Sequence, residues 1–272
     1  MRVAVIGVGL IGGSVALAAR ERLGAHVSAW DLNPAALSKG RSLGVIDSAT
    51  RSLDDAVHDA DGAFVAAPVD SLPELVAAVL ARAPEGCVVS DVGSTKRSVV
   101  AACADPRFVG GHPLAGSEMS GVEHARAGLF DGATWYLTPS QTTSATSLSR
   151  VRDLVTALGA KPVEIGAATH DQLMASVSHL PHIFANVLVS QVAAIGGARE
   201  LGPSFRDATR VAGANAAIWN PIYFDNREPL VVAIEDAIAR LSGIADALRQ
   251  GDEGRLASWS EQAIADRERL GR

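Results

Sequence analysis

Two groups of residues in this chain of 272 have the types and spacing for redox chemistry on an alcohol. Gly7-Val8-Gly9-Leu10-Ile11-Gly12-Gly13-Ser14 stands at the start and fits a loop that cradles a dinucleotide. Gly110-Gly111-His112-Pro113 comes much later and sets an imidazole at a tight bend after an apolar run. A cofactor loop with a positioned base is the equipment of a dehydrogenase.

A G-x-G-x-x-G sequence is by itself an ordinary glycine turn and gains meaning only between a strand and a helix. Here Val3–Ile6 reads as the strand and Gly12–Arg22 as the helix. Gly7 permits the tight turn, Gly9 leaves room for a pyrophosphate, and Gly12 lets helix and strand pack closely. The phosphates would then meet the free N–H groups at the helix start, with Leu10 and Ile11, at the positive end of the helix dipole. Asp31 ends the next strand, where a carboxylate accepts hydrogen bonds from ribose hydroxyls and repels a 2′-phosphate, so the expected cofactor is NAD. Asp31 also suits a turn before Asn33-Pro34, and Arg41 is a nearby group able to take an extra phosphate.

Ligands in open α/β sheets bind beyond the carboxyl ends of the strands. Two polar clusters are expected there: Asp91-Val92-Gly93-Ser94-Thr95-Lys96, opening a helix, and Gly111 through Glu118 after the following strand. Neutral His112 can take the proton of a hydroxyl as hydride leaves its carbon, and Ser94 can orient that hydroxyl. The bland readings are a structural hydrogen bond across a Gly-Pro turn for His112 and a helix cap for Ser94. Spacing alone leaves both open.

The elements that must position these residues fall into two regions. Through residue 166 short apolar runs alternate with helical patterns. Strands are expected at Val3–Ile6, Val27–Trp30, Ala63–Ala67, Val88–Asp91, Phe108–Gly110, Thr134–Leu137 and Pro162–Glu164, and helices at Gly12–Arg22, Leu72–Ala83 and Ser147–Leu158. This order predicts an α/β fold with an N-terminal Rossmann-type, doubly wound, mostly parallel sheet. From 167 to 272 no strand is expected. Thr169–Ile195 reads as a long apolar helix kinked by Pro181, and Glu228–Arg249 and Asp252–Leu270 as two more. The sequence thus divides into a dinucleotide-binding domain, 1–166, and an all-helical domain, 167–272. The latter is apolar enough to bury a face against a second copy, so a homodimer is expected.

Composition narrows the function further. The chain is 48% hydrophobic with a net charge of −6 and no basic run, which argues against nucleic acid and anionic membranes as partners. The apolar stretches read as short or broken by charge, so no membrane span is expected. Cys87 and Cys103 lack metal-type spacing and read as buried free thiols in a reducing cytoplasm. The lysines are Lys39, Lys96 and Lys161.

The glycine loop, Asp91 to Lys96, Gly110-Gly111-His112-Pro113-Leu114-Ala115-Gly116-Ser117-Glu118, and Ser178-His179-Leu180-Pro181-His182 occur in this order. Together they resemble the prephenate/arogenate dehydrogenase family of tyrosine biosynthesis. The likeness continues through Phe205-Arg206-Asp207-Ala208-Thr209-Arg210 to Ile218-Trp219 and covers nearly the whole chain. It implies oxidative decarboxylation of a small cyclohexadienyl substrate, with hydride passing from ring C4 to NAD, carbon dioxide leaving and no metal required. By the same resemblance His112 is the base for the C4 hydroxyl, and Ser94 binds that hydroxyl. Arg210 pairs with a substrate carboxylate, His182 and His179 face the substrate side chain, and Trp219 walls the pocket. Ser117, Glu118 and Asp207 are further polar candidates. Read without the resemblance, the two helical histidines satisfy backbone groups freed by Pro181, Arg210 pairs with Asp207, and Trp219 is core. His26, His58 and His124 read as surface residues and His170 as part of a helix start. The chain is expected to carry no appended regulatory or chorismate mutase domain.

Three rivals remain. A β-hydroxy-acid dehydrogenase of this architecture would rely on a helical-domain lysine, and no lysine follows Lys161. A 4-amino-4-deoxyprephenate dehydrogenase would suit His112 and Ser94 less well than a C4 hydroxyl does. A non-catalytic dinucleotide-binding protein would have no need of the base, hydroxyl and carboxylate anchor together.

Overall fold

The chain lays down eight strands in one sheet: β1 (Arg2–Ile6), β2 (His26–Trp30), β3 (Ser48–Ala49), β4 (Gly62–Val65), β5 (Val88–Asp91), β6 (Phe108–Pro113), β7 (Thr134–Thr138) and β8 (Lys161–Glu164). The computed structural model describes residues 1–116, 119–196 and 200–271. The spatial order is β3-β2-β1-β4-β5-β6-β7-β8. Neighbours from β3 to β6 are parallel, β7 runs antiparallel to β6, and β8 is parallel to β7. The chain moves outward from β1 to β3, then returns to β4 and proceeds the other way. The switch point therefore lies between β1 and β4, which is where such sheets bind ligands. The α/β, mostly parallel architecture is as expected.

The alternation of strand side chains explains why both faces are covered. Val3 and Val5 of β1 enter one apolar cluster with Val15, Val27, Phe64 and Trp135. Ala4 and Ile6 enter another on the opposite face with Val65, Val76 and Val89. A central parallel strand buried on both faces needs such a continuous apolar run.

Two departures from expectation bear on the site. His112 does not sit at a bend after β6. It lies within β6, paired with Tyr136 of β7. The strand runs on because the antiparallel neighbour supplies hydrogen-bond partners, and because Gly111 admits a close approach to β5. A Cβ at Gly111 would lie 2.6 Å from the Asp91 carbonyl oxygen and 2.7 Å from Ser90 Oγ. The second departure is β3, a two-residue strand too short to leave a periodic signal.

After β8 the described residues form helices and turns. Ala167–Met174, a π-helical turn Ala175–His179 and Leu180–Ile195 follow one another without a break. Pro181 has no N–H for the carbonyl one turn before it, and the widened turn just ahead of it absorbs the loss. This stretch corrects one expectation. By length and hydropathy (1.3 over its most apolar window) it passes as a membrane-crossing helix, although only 28% of that window is buried. It is neither short nor broken by charge. Its buried polar residues, His170, Asp171, His179 and His182, are used inside the protein. Helices Pro203–Thr209 and Ala216–Asp225 complete a compact unit, Met1–Arg227. The second unit, Glu228–Arg272, comprises most of helix Arg227–Gln250 and helix Glu253–Arg269.

Candidate active site

The carboxyl ends of β1, β2 and β4 open into a crevice of about 520 Å3 lined by Gly7, Trp30, Asp31, Ala66, Ser71 and Glu74, among others. The glycine loop enters it as its sequence predicts. Gly7 has φ +98°, and a Cβ there would lie 2.1 Å from the Ala66 carbonyl oxygen. A Cβ on Gly12 would lie 2.0 Å from the Gly7 carbonyl oxygen. Gly9 is different: a Cβ there meets nothing within 4 Å. Its missing side chain leaves space that this chain does not fill. Helix Leu10–Leu23 begins after Gly9 with no side-chain cap and no acidic residue in its first turn. Its first N–H groups, at Leu10 and Ile11, are left for a ligand. Asp31 stands at the end of β2, and its carboxylate accepts N–H bonds from Val8 at 2.6 Å and Asn33 at 2.7 Å. It therefore braces the glycine loop, and its remaining lone pairs are available to ribose hydroxyls. These residues fit a dinucleotide.

At the ends of β5 and β6, Asp91 ties the two strands together. Its carboxylate accepts from Gly93 N at 2.8 Å and Gly111 N at 3.0 Å, and pairs with fully buried Lys96. The loop that this pair shapes carries half-buried Ser94. Ser94 is not a helix cap. Helix Arg97–Ala102 is capped instead by Asp171, whose two oxygens accept from Lys96 N at 2.8 Å and Arg97 N at 2.9 Å.

His112 Nδ1 lies 2.9 Å from Nε2 of His170, and His170 Nδ1 lies 2.8 Å from Asp171 Oδ1. The Tyr136 and His170 rings meet in a T-shaped contact, with centroids 5.6 Å apart and planes at 82°. Burial, reinforced by His170, Lys96 and His179, holds His112 well below the usual imidazole range. The ring is thereby neutral at pH 7, the form able to accept a proton.

His179 and His182 follow along the same helix and both are buried. The side-chain amide of Asn226 donates to the Asp171 carbonyl at 2.8 Å and lies 3.1 Å from His179 Nδ1. Since the carbonyl fixes which end of the amide is NH2, His179 Nδ1 is an acceptor and its Nε2 carries the hydrogen. Burial is the largest influence on His179 and lowers it to about 4, against the pull of Asp171. His182 stacks on Trp219, and its Nδ1 is hydrogen-bonded to the Tyr223 hydroxyl. Burial lowers the His182 pKa as well, with the Val211 backbone opposing.

Arg210 lies just past helix Pro203–Thr209, exposed, and lines a cavity of about 530 Å3 with Trp219, Gly116, Val211 and Gly213. Among the described residues it makes no ion pair, with Asp207 or any other. Trp219 is half-buried and faces this cavity, so it is not core. Ser117 and Glu118 lie outside the described residues. The structure thus groups His112 with His170 and Asp171, His179 and His182 with Trp219, and Arg210 with Trp219. Sequence reading missed four participants: His170, Asp171, Tyr223 and Asn226. Only the adjacent His170-Asp171 pair at a helix start left any local signal.

The family model described as prephenate dehydrogenase, nucleotide-binding domain, matches residues 15–164. That for prephenate dehydrogenase, dimerization domain, matches residues 166–262. The sequence is 33% identical over 273 residues to the prephenate dehydrogenase of Bacillus subtilis (strain 168), covering 94% of this chain and 72% of that one. The fold matches a crystal structure of prephenate dehydrogenase from A. aeolicus in complex with hydroxyphenyl propionate and NAD+. The TM-score is 0.92 at 29% identity, over 99% of this chain and 98% of that one. It also matches Synechocystis arogenate dehydrogenase with a TM-score of 0.85 at 26% identity, over 99% of this chain and all of the other. The chain belongs to the prephenate dehydrogenase family.

Proposed function

We propose that the chain oxidises a cyclohexadienol with loss of carbon dioxide, converting prephenate to 4-hydroxyphenylpyruvate or arogenate to tyrosine. It is an NAD-dependent oxidoreductase. The observation that carries the reading is the neutral His112 ring, tied through Nδ1 to His170 at the carboxyl end of β6, in a chain of this family. The relative bound to NAD+ and hydroxyphenyl propionate supports both cofactor and substrate class.

NAD, when bound, accepts the hydride leaving ring C4. The first N–H groups of helix Leu10–Leu23 would hold its pyrophosphate, with Gly9 leaving the space, and Asp31 would accept hydrogen bonds from the adenosine ribose. His112 Nε2 takes the proton of the C4 hydroxyl, and Ser94 orients that hydroxyl. As the ring carboxylate leaves as carbon dioxide, its bonding pair enters the ring, which becomes aromatic, and the C4 oxygen takes back a proton to give the phenol. Arg210 anchors a substrate carboxylate through its planar fork of donors. His179 and His182 present N–H groups to the substrate side chain, with Trp219 as wall and Ser117 as a further polar contact.

Residues 1–166 serve as the dinucleotide-binding domain. Residues 167–272 serve in substrate binding and homodimer formation, a division supported by the spans of the two family models. We place the enzyme in the cytoplasm. Its two cysteines are free and buried, which suits a reducing compartment.

The test is NADH formation by purified protein with NAD, run in parallel with prephenate and with arogenate. Turnover of either is expected, and the ratio of kcat/KM values names the substrate. No turnover of either by protein shown to bind NAD would overturn the reading.

A further inference from the structure

The hydrogen-bond chain behind His112 determines which of its nitrogens is basic. Asp171 Oδ1 accepts the Lys96 N–H at 2.8 Å and Oδ2 accepts the Arg97 N–H at 2.9 Å, so the carboxylate is fixed as an acceptor at the start of helix Arg97–Ala102. The His170 nitrogen facing it, Nδ1 at 2.8 Å, must therefore carry a hydrogen. In a neutral imidazole the other nitrogen is then a bare lone pair. That lone pair, on His170 Nε2, lies 2.9 Å from His112 Nδ1, which must in turn be the donor. The opposite tautomer of His112 would set two lone pairs against each other at hydrogen-bond distance inside the protein, with His170 fully buried.

We propose that His170, held by Asp171, is a positioning residue that fixes the tautomer of His112 and confines its basic lone pair to Nε2. The proposal rests on the reading of His112 as the base. It deepens that reading by explaining why the reactive nitrogen is the one turned away from β7's neighbour His170. The groups packed around the pair are consistent with it. Lys96 is engaged by Asp91, His179 is engaged by Asn226, and Tyr136 meets His170 through a T-shaped ring contact. None of these supplies a rival acceptor for His112 Nδ1. His112 is kept neutral by burial, then by His170, Lys96 and His179, and the neutral ring is the form in which the choice of tautomer matters.

The experiment combines 15N NMR of histidine-labelled protein with kinetics. His112 signals are assigned by their loss in His112→Gln. At pH 7 the resting wild-type protein is expected to show His112 protonated at Nδ1 and bare at Nε2. In His170→Phe, which removes the acceptor, the two nitrogens should exchange into a mixture of tautomers, and kcat should fall by about 10²- to 10⁴-fold. NAD affinity, read by fluorescence titration, should stay unchanged. His170→Gln supplies an amide oxygen to the same Nδ1–H, and is expected to recover at least about tenfold of the turnover lost in the Phe variant, together with the wild-type tautomer. A wild-type His112 carrying its hydrogen on Nε2 would overturn the proposal, as would Phe and Gln variants impaired equally. The NMR reading needs no substrate. A failure of the cyclohexadienol assay therefore counts against the proposed reaction and leaves the tautomer result to stand or fall separately.

Discussion

The imidazole of His182 lies flat on the indole of Trp219, with centroids 3.8 Å apart and planes within 1°. The Tyr223 hydroxyl holds the same imidazole through Nδ1. The ring is thus gripped on one face and one edge, so the direction of its other nitrogen, Nε2, is fixed. An aromatic contact of this kind contributes about 0.5–1.5 kcal/mol beyond the area it buries. Trp219→Leu is expected to raise the KM for the cyclohexadienyl substrate by roughly 2- to 10-fold, with a smaller change in kcat. Tyr223→Phe should act in the same direction. Steady-state kinetics decide the point, and an unchanged KM in both variants would remove His182 from substrate binding.

Arg210 is an exposed cation with no ion pair among the described residues, beside a cavity that also contains Trp219. No carboxylate among the described residues competes with a substrate carboxylate for its guanidinium. Losing a charge-assisted hydrogen bond forfeits about 1.5–3 kcal/mol, so Arg210→Ala should raise KM roughly 10- to 100-fold. The melting temperature should not move. Arg210→Lys should recover only part of the loss, because a point charge cannot reproduce a two-pronged contact. A drop in kcat at constant KM would argue for a different role.

Gly9 and Gly12 stand in one loop but fail in different ways. A Cβ on Gly12 lies 2.0 Å from backbone oxygen, so Gly12→Ala should destabilise the fold by about 1–3 kcal/mol or more. A Cβ on Gly9 meets no protein atom. Gly9→Ala should therefore melt like the wild type yet bind NAD at least about tenfold more weakly, because the methyl group enters the pyrophosphate's space. Calorimetry and NAD titration on the two variants separate the effects. Wild-type NAD affinity in Gly9→Ala would mean that the phosphates lie elsewhere.

The second unit exposes Val232, Ile238, Leu241 and Leu248 on one helix and Trp259 and Ile264 on the other. So much apolar surface on two helices fits a partner face. Sedimentation should find a dimer, and the double variant Ile238→Asp, Leu241→Asp should shift it toward monomer at micromolar concentration. A wild-type monomer at that concentration would refute the homodimer.

What the sequence made legible was local. The strand, glycine loop, helix and Asp31 follow one another within a short stretch, so each constrains the next, and all fall where expected. The order of motifs carried the family. The hydrogen bonds that orient the histidines were not legible, because they join residues far apart along the chain. His112 and His170 are 58 positions apart, and His179 and Asn226 are 47 apart. Tyr223 and Asn226 carry no motif, and only packing brings them to the site. The extension of β6 through His112 has the same origin, since it depends on pairing with β7 rather than on a propensity in Gly110-Gly111-His112.

His179 also links the site to acid stability. It is buried and held at about 4, chiefly by burial, whereas an unfolded histidine titrates near 6.5. Between those values the unfolded chain binds a proton that the folded chain refuses. Stability should therefore be level above pH 6.5 and fall as the pH drops toward 4, by on the order of 3 kcal/mol from this residue at the lower end. His112 is shifted in the same direction and adds to the slope. His179→Gln keeps an acceptor for Asn226 but cannot titrate, so its stability should decline less steeply across this window. Urea unfolding of both proteins between pH 7.5 and 4.5 measures the difference. Parallel slopes would show that His179 takes up its proton in the folded protein as readily as in the unfolded chain, and that the Asn226 contact does not hold it neutral.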